Sequence, residues 1–138
     1  MFLLDSNALS ELRRPDRANA GLAAWAAGAL AAELFISAIT LFELELGVAQ
    51  AERRDAAKGK VLRIWLDSHV VPAFGGRIIP VDAAVAQRCA ALHVPDPRPQ
   101  RDSLIAATAL VHRLVVVTRN VRDFEPMGVR FLNPWNDG

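Results

Sequence analysis

The run Leu114-Val115-Val116-Val117 constrains this chain more than any other stretch. Four β-favouring apolar residues in succession suit a strand buried on both faces. Such a strand belongs inside a parallel sheet, because crossover helices cover both faces of that sheet. Phe2-Leu3-Leu4, Leu34-Phe35-Ile36, Arg77-Ile78-Ile79 and Gly128–Leu132 read as further short strands. Helical patterns separate them, over Ala8–Leu12, Ala18–Ala32, Leu41–Gln50, Arg54–Leu66, Ala83–Leu92 (with Asp82 as N-cap) and Asp102–Arg113, with a short turn of helix at Val121–Phe124. The alternation predicts an α/β fold: a central parallel β-sheet of about five short strands with helices on both faces, in one domain over residues 1–138.

Composition excludes several classes. A chain 52% hydrophobic and 22% charged is not globally disordered. Its single cysteine, Cys89, forms no intrachain disulfide, which points to a reducing compartment. No apolar run reaches the roughly 20 residues of a membrane span. The start, Met1-Phe-Leu-Leu-Asp5, lacks a basic segment and carries an acid, so no secretory signal is expected and a cytoplasmic location is. A net charge of +1 makes no general magnet for nucleic acid. Of the basic residues only Lys58 and Lys60 are lysines; arginine grips phosphate bidentately, although GC-rich coding also favours it.

The acids are placed where chemistry is expected. Asp5 follows the first strand, Asn120 and Asp123 follow the fourth, Glu43 lies shortly after the second, and Asp102 opens the helix feeding the fourth. Carboxyl ends of parallel strands share one edge, so these acids can converge there. Converged carboxylates need a cation or shared protons, and hard oxygen donors suit Mg²⁺ or Mn²⁺. His69, His93 and His112 have no zinc-ligand spacing among themselves or with Cys89. Each acid also has a purely structural use. Asp5 can cap a helix, Thr40-x-x-Glu43 fits a capping box, Asp102 suits a helix dipole, and Asp123 suits a solvated turn. The four together carry the functional reading.

Four ordered segments resemble the PIN-domain family, most closely the toxins of VapBC-type toxin–antitoxin pairs. They are Phe2-Leu-Leu-Asp5-Ser-Asn7, Ser37-Ala-Ile-Thr40-Leu-Phe-Glu43-Leu-Glu-Leu-Gly47, Asp102-Ser-Leu-Ile-Ala-Ala-Thr108 and Val117-Thr-Arg-Asn120-Val-Arg-Asp123-Phe. The likeness runs to Asn133-Pro134-Trp135. It implies a PIN-like fold and a Mg²⁺-dependent ribonuclease, with Mn²⁺ as a possible substitute, held inactive by a cognate antitoxin. Asp5, Glu43, Asp102 and Asp123 take the acidic positions, with Asn120 or Asp123 as the fourth ligand. In that reading Asp5 and Asp102 hold the metal directly, and Glu43 and Asp123 act through water. Ser6, Asn7, Thr118 and Asn120 are expected to orient the carboxylates. Ser6 stands where threonine is commoner, and Arg101 where a small apolar residue is common. Arg13, Arg14, Arg17, Arg101, Arg119 and Arg122 are candidates for RNA contact, against solvated side chains.

The resemblance also implies a homodimer and an antitoxin groove around Leu9, Leu12 and the Leu44–Val48 face; no membrane association is expected, given the short apolar runs. Trp25, Phe42, Trp65 and Phe74 are expected in the core. Glu45, and the helix bearing Arg53, Arg54, Lys58, Lys60 and Arg63, are expected to face solvent. The alternatives are a catalytically degenerate PIN-fold nucleic-acid-binding protein or another Mg²⁺-dependent phosphohydrolase. An aspartyl-phosphate mechanism lacks its second acid, since position 7 is asparagine.

Overall fold

A computed structural model of the protein describes residues 1–135. The elements are β1 (Phe2–Leu4), α1 (Ser6–Leu12), α2 (Ala20–Gly28), β2 (Leu34–Ser37), α3 (Ala38–Arg54), α4 (Ala56–Trp65), α5 (Val71–Ala73), β3 (Ile78–Ile79), α6 (Ala83–Leu92), α7 (Gln100–His112), β4 (Val115–Val117), α8 (Val121–Phe124) and β5 (Phe131–Leu132). All strand pairs are parallel, in the order β3-β2-β1-β4-β5. The chain starts at the central strand, builds outward through β2 and β3, then returns to the other side of β1. The seam between β1 and β4 is therefore the topological switch point, where connections leave in opposite directions.

Register explains the burial. Leu3 pairs with Val116 and Leu4 with Val117. Alternate side chains point to opposite faces. Leu3 and Val116 join Ile105, Ala106, Ala109 and Phe124 on one side. Leu4 and Val117 join Ile36, Leu44, Val48 and Leu66 on the other. The uninterrupted apolar run of β4 is thus required by two-faced burial.

Several boundaries differ from the sequence expectation. α3 begins at Ala38, capped by Ser37, whose hydroxyl accepts from Ile39 N at 3.0 Å. Thr40 is therefore inside the helix, and the proposed capping box with Glu43 does not form. α2 is shorter than Ala18–Ala32, because Asn19 caps its start and the backbone is already extended at Ala29. Between α3 and α4, Asp55 is extended, with φ −149° and ψ 97°. It donates its N–H to Ala51 O at 2.8 Å, and its carboxylate accepts from Lys58 N at 3.2 Å. One residue closes one helix and opens the next. The buried Gly59 lets the resulting hairpin close, since a Cβ there would lie 2.4 Å from Glu52 Cα.

Glu45 is not a free surface acid. Arg63 on α4 donates to Glu45 at 2.7 Å and to Glu52 at 3.1 Å, with Asp67 at 3.4 Å, so the hairpin carries an ion-pair network in place of a plain solvated face. No helix among the described residues is long and apolar enough to cross a membrane.

Candidate active site

Asp5 leaves the carboxyl end of β1 at the switch point and is 6% exposed. Its N–H donates to Val117 O at 3.2 Å, tying it to β4. One carboxylate oxygen caps α1, accepting from Ala8 N at 2.9 Å. The Thr118 hydroxyl and the Asn7 amide also hydrogen-bond the carboxylate. The cap expected of a lone Asp after a strand is therefore real, and it fixes the orientation of the carboxylate. Burial outweighs these bonds and raises the Asp5 carboxyl above the ordinary range.

Glu43 sits in the second turn of α3. Ser6 Oγ donates to Glu43 Oε1 at 3.3 Å, and Arg101 Nη1 stands 3.8 Å from Oε2. Its pKa is raised, first by burial and then by the charges of Asp102 and Asp5, against the lowering effects of Ser6 and Arg101. Asp102, in the first turn of α7, is raised by burial, by Asp123 and by Asp5. The four acids come from four separated segments and act on one another electrostatically. Asp123 is the member of the last motif whose charge reaches Asp102; Asn120 is exposed, and its N–H donates to Thr118 Oγ1 at 2.9 Å.

Among the described residues, no three acidic, histidine or cysteine side chains already stand as a ready-made metal shell. The donor chemistry nevertheless fits a hard divalent cation. It is all oxygen, strongly anionic and partly desolvated.

A cleft of about 510 Å³ opens beside Glu43. Ser6, Asn7, Arg13 and Arg101 line its polar side, and Leu44, Val48, Leu62 and Trp65 are among its apolar lining. Acid, cation and apolar surface thus meet in one concavity.

Residues 2–128 match the family model described as the PIN domain. The chain belongs to the PIN-domain family. Toxin FitB of Neisseria gonorrhoeae is 37% identical over 142 residues, covering 99% of this chain and 100% of that protein. VapC ribonuclease Y4jK of Sinorhizobium fredii is 34% identical, covering 98% of each. The crystal structure of FitAcB from Neisseria gonorrhoeae superposes with a TM-score of 0.90 at 37% identity, covering 99% of each chain.

Of the residues expected to orient the acids of this PIN domain, Ser6 and Thr118 bond them through side-chain hydroxyls. Asn7 reaches Asp5 through its backbone N–H, because it occupies the first turn of a helix whose amides face the capping carboxylate. Arg13 and Arg101 reach the cleft. Arg14 flanks α4 in a smaller hollow with Lys58 and Val61. Arg119 lines a third concavity with Asn7, Ser10 and Trp135, where its charge lowers the Glu11 pKa after the larger effects of Asn19 N–H and Trp135. Arg17 and Arg122 are exposed.

Leu44 and Val48 touch this cleft, but like Leu9 they are buried in the core cluster on that side of the sheet, and Leu12 packs against Ala8, Leu22 and Trp135. Lys58, Leu62 and Trp65 belong to the cleft and were not anticipated there. Gly59 is the one sequence signal for them, as it permits α4 to approach. Phe42 departs from the expected core role and is 50% exposed. The buried Thr40 hydroxyl, one turn ahead of Glu43, has no hydrogen-bond partner.

Proposed function

We propose that this PIN domain is a divalent-metal-dependent ribonuclease that hydrolyses RNA phosphodiester bonds. In the same reading it is the toxin of a toxin–antitoxin pair, restrained by its cognate antitoxin in the cytoplasm. One observation carries the catalytic reading: Ser6, next to Asp5, donates to Glu43 at 3.3 Å, Arg101, next to Asp102, stands 3.8 Å from Glu43, and Asp5 is tied to β4, the strand that leads to Asp123. The names of the relatives, a toxin and a VapC ribonuclease, support the biological role.

Asp5, Glu43, Asp102 and Asp123 would hold the cation, Mg²⁺ first and Mn²⁺ as its substitute. When bound, the ion supplies an activated water and charge stabilisation for the phosphoryl oxygens. The chain's own residues fix the geometry. Asp5 is held between the Ala8 amide and the Thr118 hydroxyl, so its orientation is set before any ligand arrives. Ser6 holds one Glu43 oxygen. Arg101 offsets part of the Glu43 charge and offers a bidentate donor to a phosphate. The apolar side of the cleft, at Leu44, Val48, Leu62 and Trp65, suits an apolar segment of the antitoxin.

The test is cleavage of total RNA by purified protein. Mg²⁺ or Mn²⁺ should support cleavage, a chelator should stop it, and Asp102→Ala should be inactive though folded. Cleavage by Asp102→Ala at the wild-type rate would sink the assignment.

A further inference from the structure

We propose that Phe42 and Arg101 form a stacking platform for the nucleobase next to the scissile phosphate of the RNA. This rests on the ribonuclease reading above. Among the described Phe and Trp residues Phe42 is the one left exposed, at 50%, and it belongs to none of the apolar clusters of the core. It immediately precedes Glu43 on α3, as Arg101 immediately precedes Asp102 on α7. The two meet across the helices. The Arg101 guanidinium carbon lies 5.0 Å from the Phe42 ring centroid, within cation–π reach. The same guanidinium stands 3.8 Å from Glu43. The flat cation thereby links the ring to the Glu43 carboxylate.

The pairing answers an electrostatic difficulty. RNA is a polyanion, and here it must approach four acids. Stacking on an aromatic face binds without relying on charge and tolerates any base, because every base has a π-face. Arg101 adds a cation 3.8 Å from Glu43. A base inside a duplex already has both faces covered, so only an unstacked base reaches the ring. Phe42 is thus a substrate-binding residue that acts on affinity, and a residue acting on affinity alone changes KM and leaves kcat.

The experiment uses short labelled oligoribonucleotides spanning a cleaved step, in Mn²⁺. Each strand is intact or lacks one base on either side of the scissile phosphate. The wild type should show a KM about 5- to 150-fold higher on one of the two abasic strands, with kcat little changed. Phe42→Ala should have the raised KM already on the intact strand and no further rise on that abasic strand. Phe42→Trp should restore the wild-type pattern and Phe42→Leu should not, which separates stacking from apolar bulk. An unchanged Mn²⁺-induced thermal shift in Phe42→Ala certifies that the fold and acids are intact. The platform is overturned if Phe42→Ala matches the wild type on every strand, or responds to the missing base as fully as the wild type does; the ring is then a surface for a protein partner. A wild type that cleaves none of these strands, nor total RNA, instead defeats the ribonuclease reading itself.

Discussion

Replacing Asp5 by Asn and by Ala should separate its two roles. Asp5 is both a helix cap and, in the proposed mechanism, a metal ligand. Asn retains an oxygen for the Ala8 N–H, now accepted at 2.9 Å, and for the Thr118 hydroxyl. Ala retains neither, and loss of a cap costs about 1 kcal/mol. The charge works the other way. Burial raises the Asp5 carboxyl, so its ionised form is disfavoured in the folded protein. Without metal at neutral pH, Asp5→Asn should therefore be at least as stable as the wild type, and Asp5→Ala less stable than Asp5→Asn. Metal reverses the order. A ligand at 100 times its Kd stabilises the fold by roughly 2.7 kcal/mol. At about 2–4 °C per kcal/mol, the wild type should gain roughly 5–11 °C in Tm from Mn²⁺. Asp5→Asn should gain almost nothing and should not cleave RNA. Thermal melts with and without Mn²⁺ read this directly. An equal metal-induced shift in wild type and Asp5→Asn would refute the ligand role. A metal-free Asp5→Asn no more stable than Asp5→Ala would refute the cap.

Three further outcomes are expected. Ser37→Ala should weaken the start of α3 by about 1 kcal/mol, whereas Glu43→Ala should leave helix stability unchanged and abolish cleavage, by paired melts and RNA assays. Gly59→Ala should destabilise by about 1–3 kcal/mol in denaturant melts, because the new Cβ meets Glu52 backbone at 2.4 Å and forces α3 and α4 apart. For pH dependence, the raised Asp102 carboxyl binds its proton more tightly folded than unfolded. Its stabilising contribution is complete below the ordinary carboxylate range and is lost as pH rises through the raised value. The metal-free wild type should consequently lose stability relative to Asp102→Asn as pH rises across that window. A stability difference independent of pH would contradict this.

Much of the fold was legible because two-faced burial leaves few choices. Leu3, Leu4, Val116 and Val117 must all be apolar in a parallel interior, and the sequence makes them so. That Asp5 and the segment bearing Asp123 lie side by side was legible because the strand ends before them share an edge, with Asp5 N–H bonded to Val117 O. What escaped depends on contacts between elements. Glu45 meets Arg63 only because Asp55 turns α3 back on α4. Lys58, Leu62 and Trp65 reach the cleft only because Gly59 lets the helices close. Thr40-x-x-Glu43 matches a capping box in spacing, but β2 runs through Ser37 and the helix starts one turn earlier. Phe42 reads as core by its helical neighbours, and only the packing of α3 against α4 and α7 leaves it outside.

Crystals soaked in Mn²⁺ and measured at the manganese edge give the most direct measurement. An anomalous peak bounded by carboxylate oxygens of Asp5, Glu43, Asp102 and Asp123 is expected. A saturating soak with no peak there, or with its only peak elsewhere on the molecule, would contradict it.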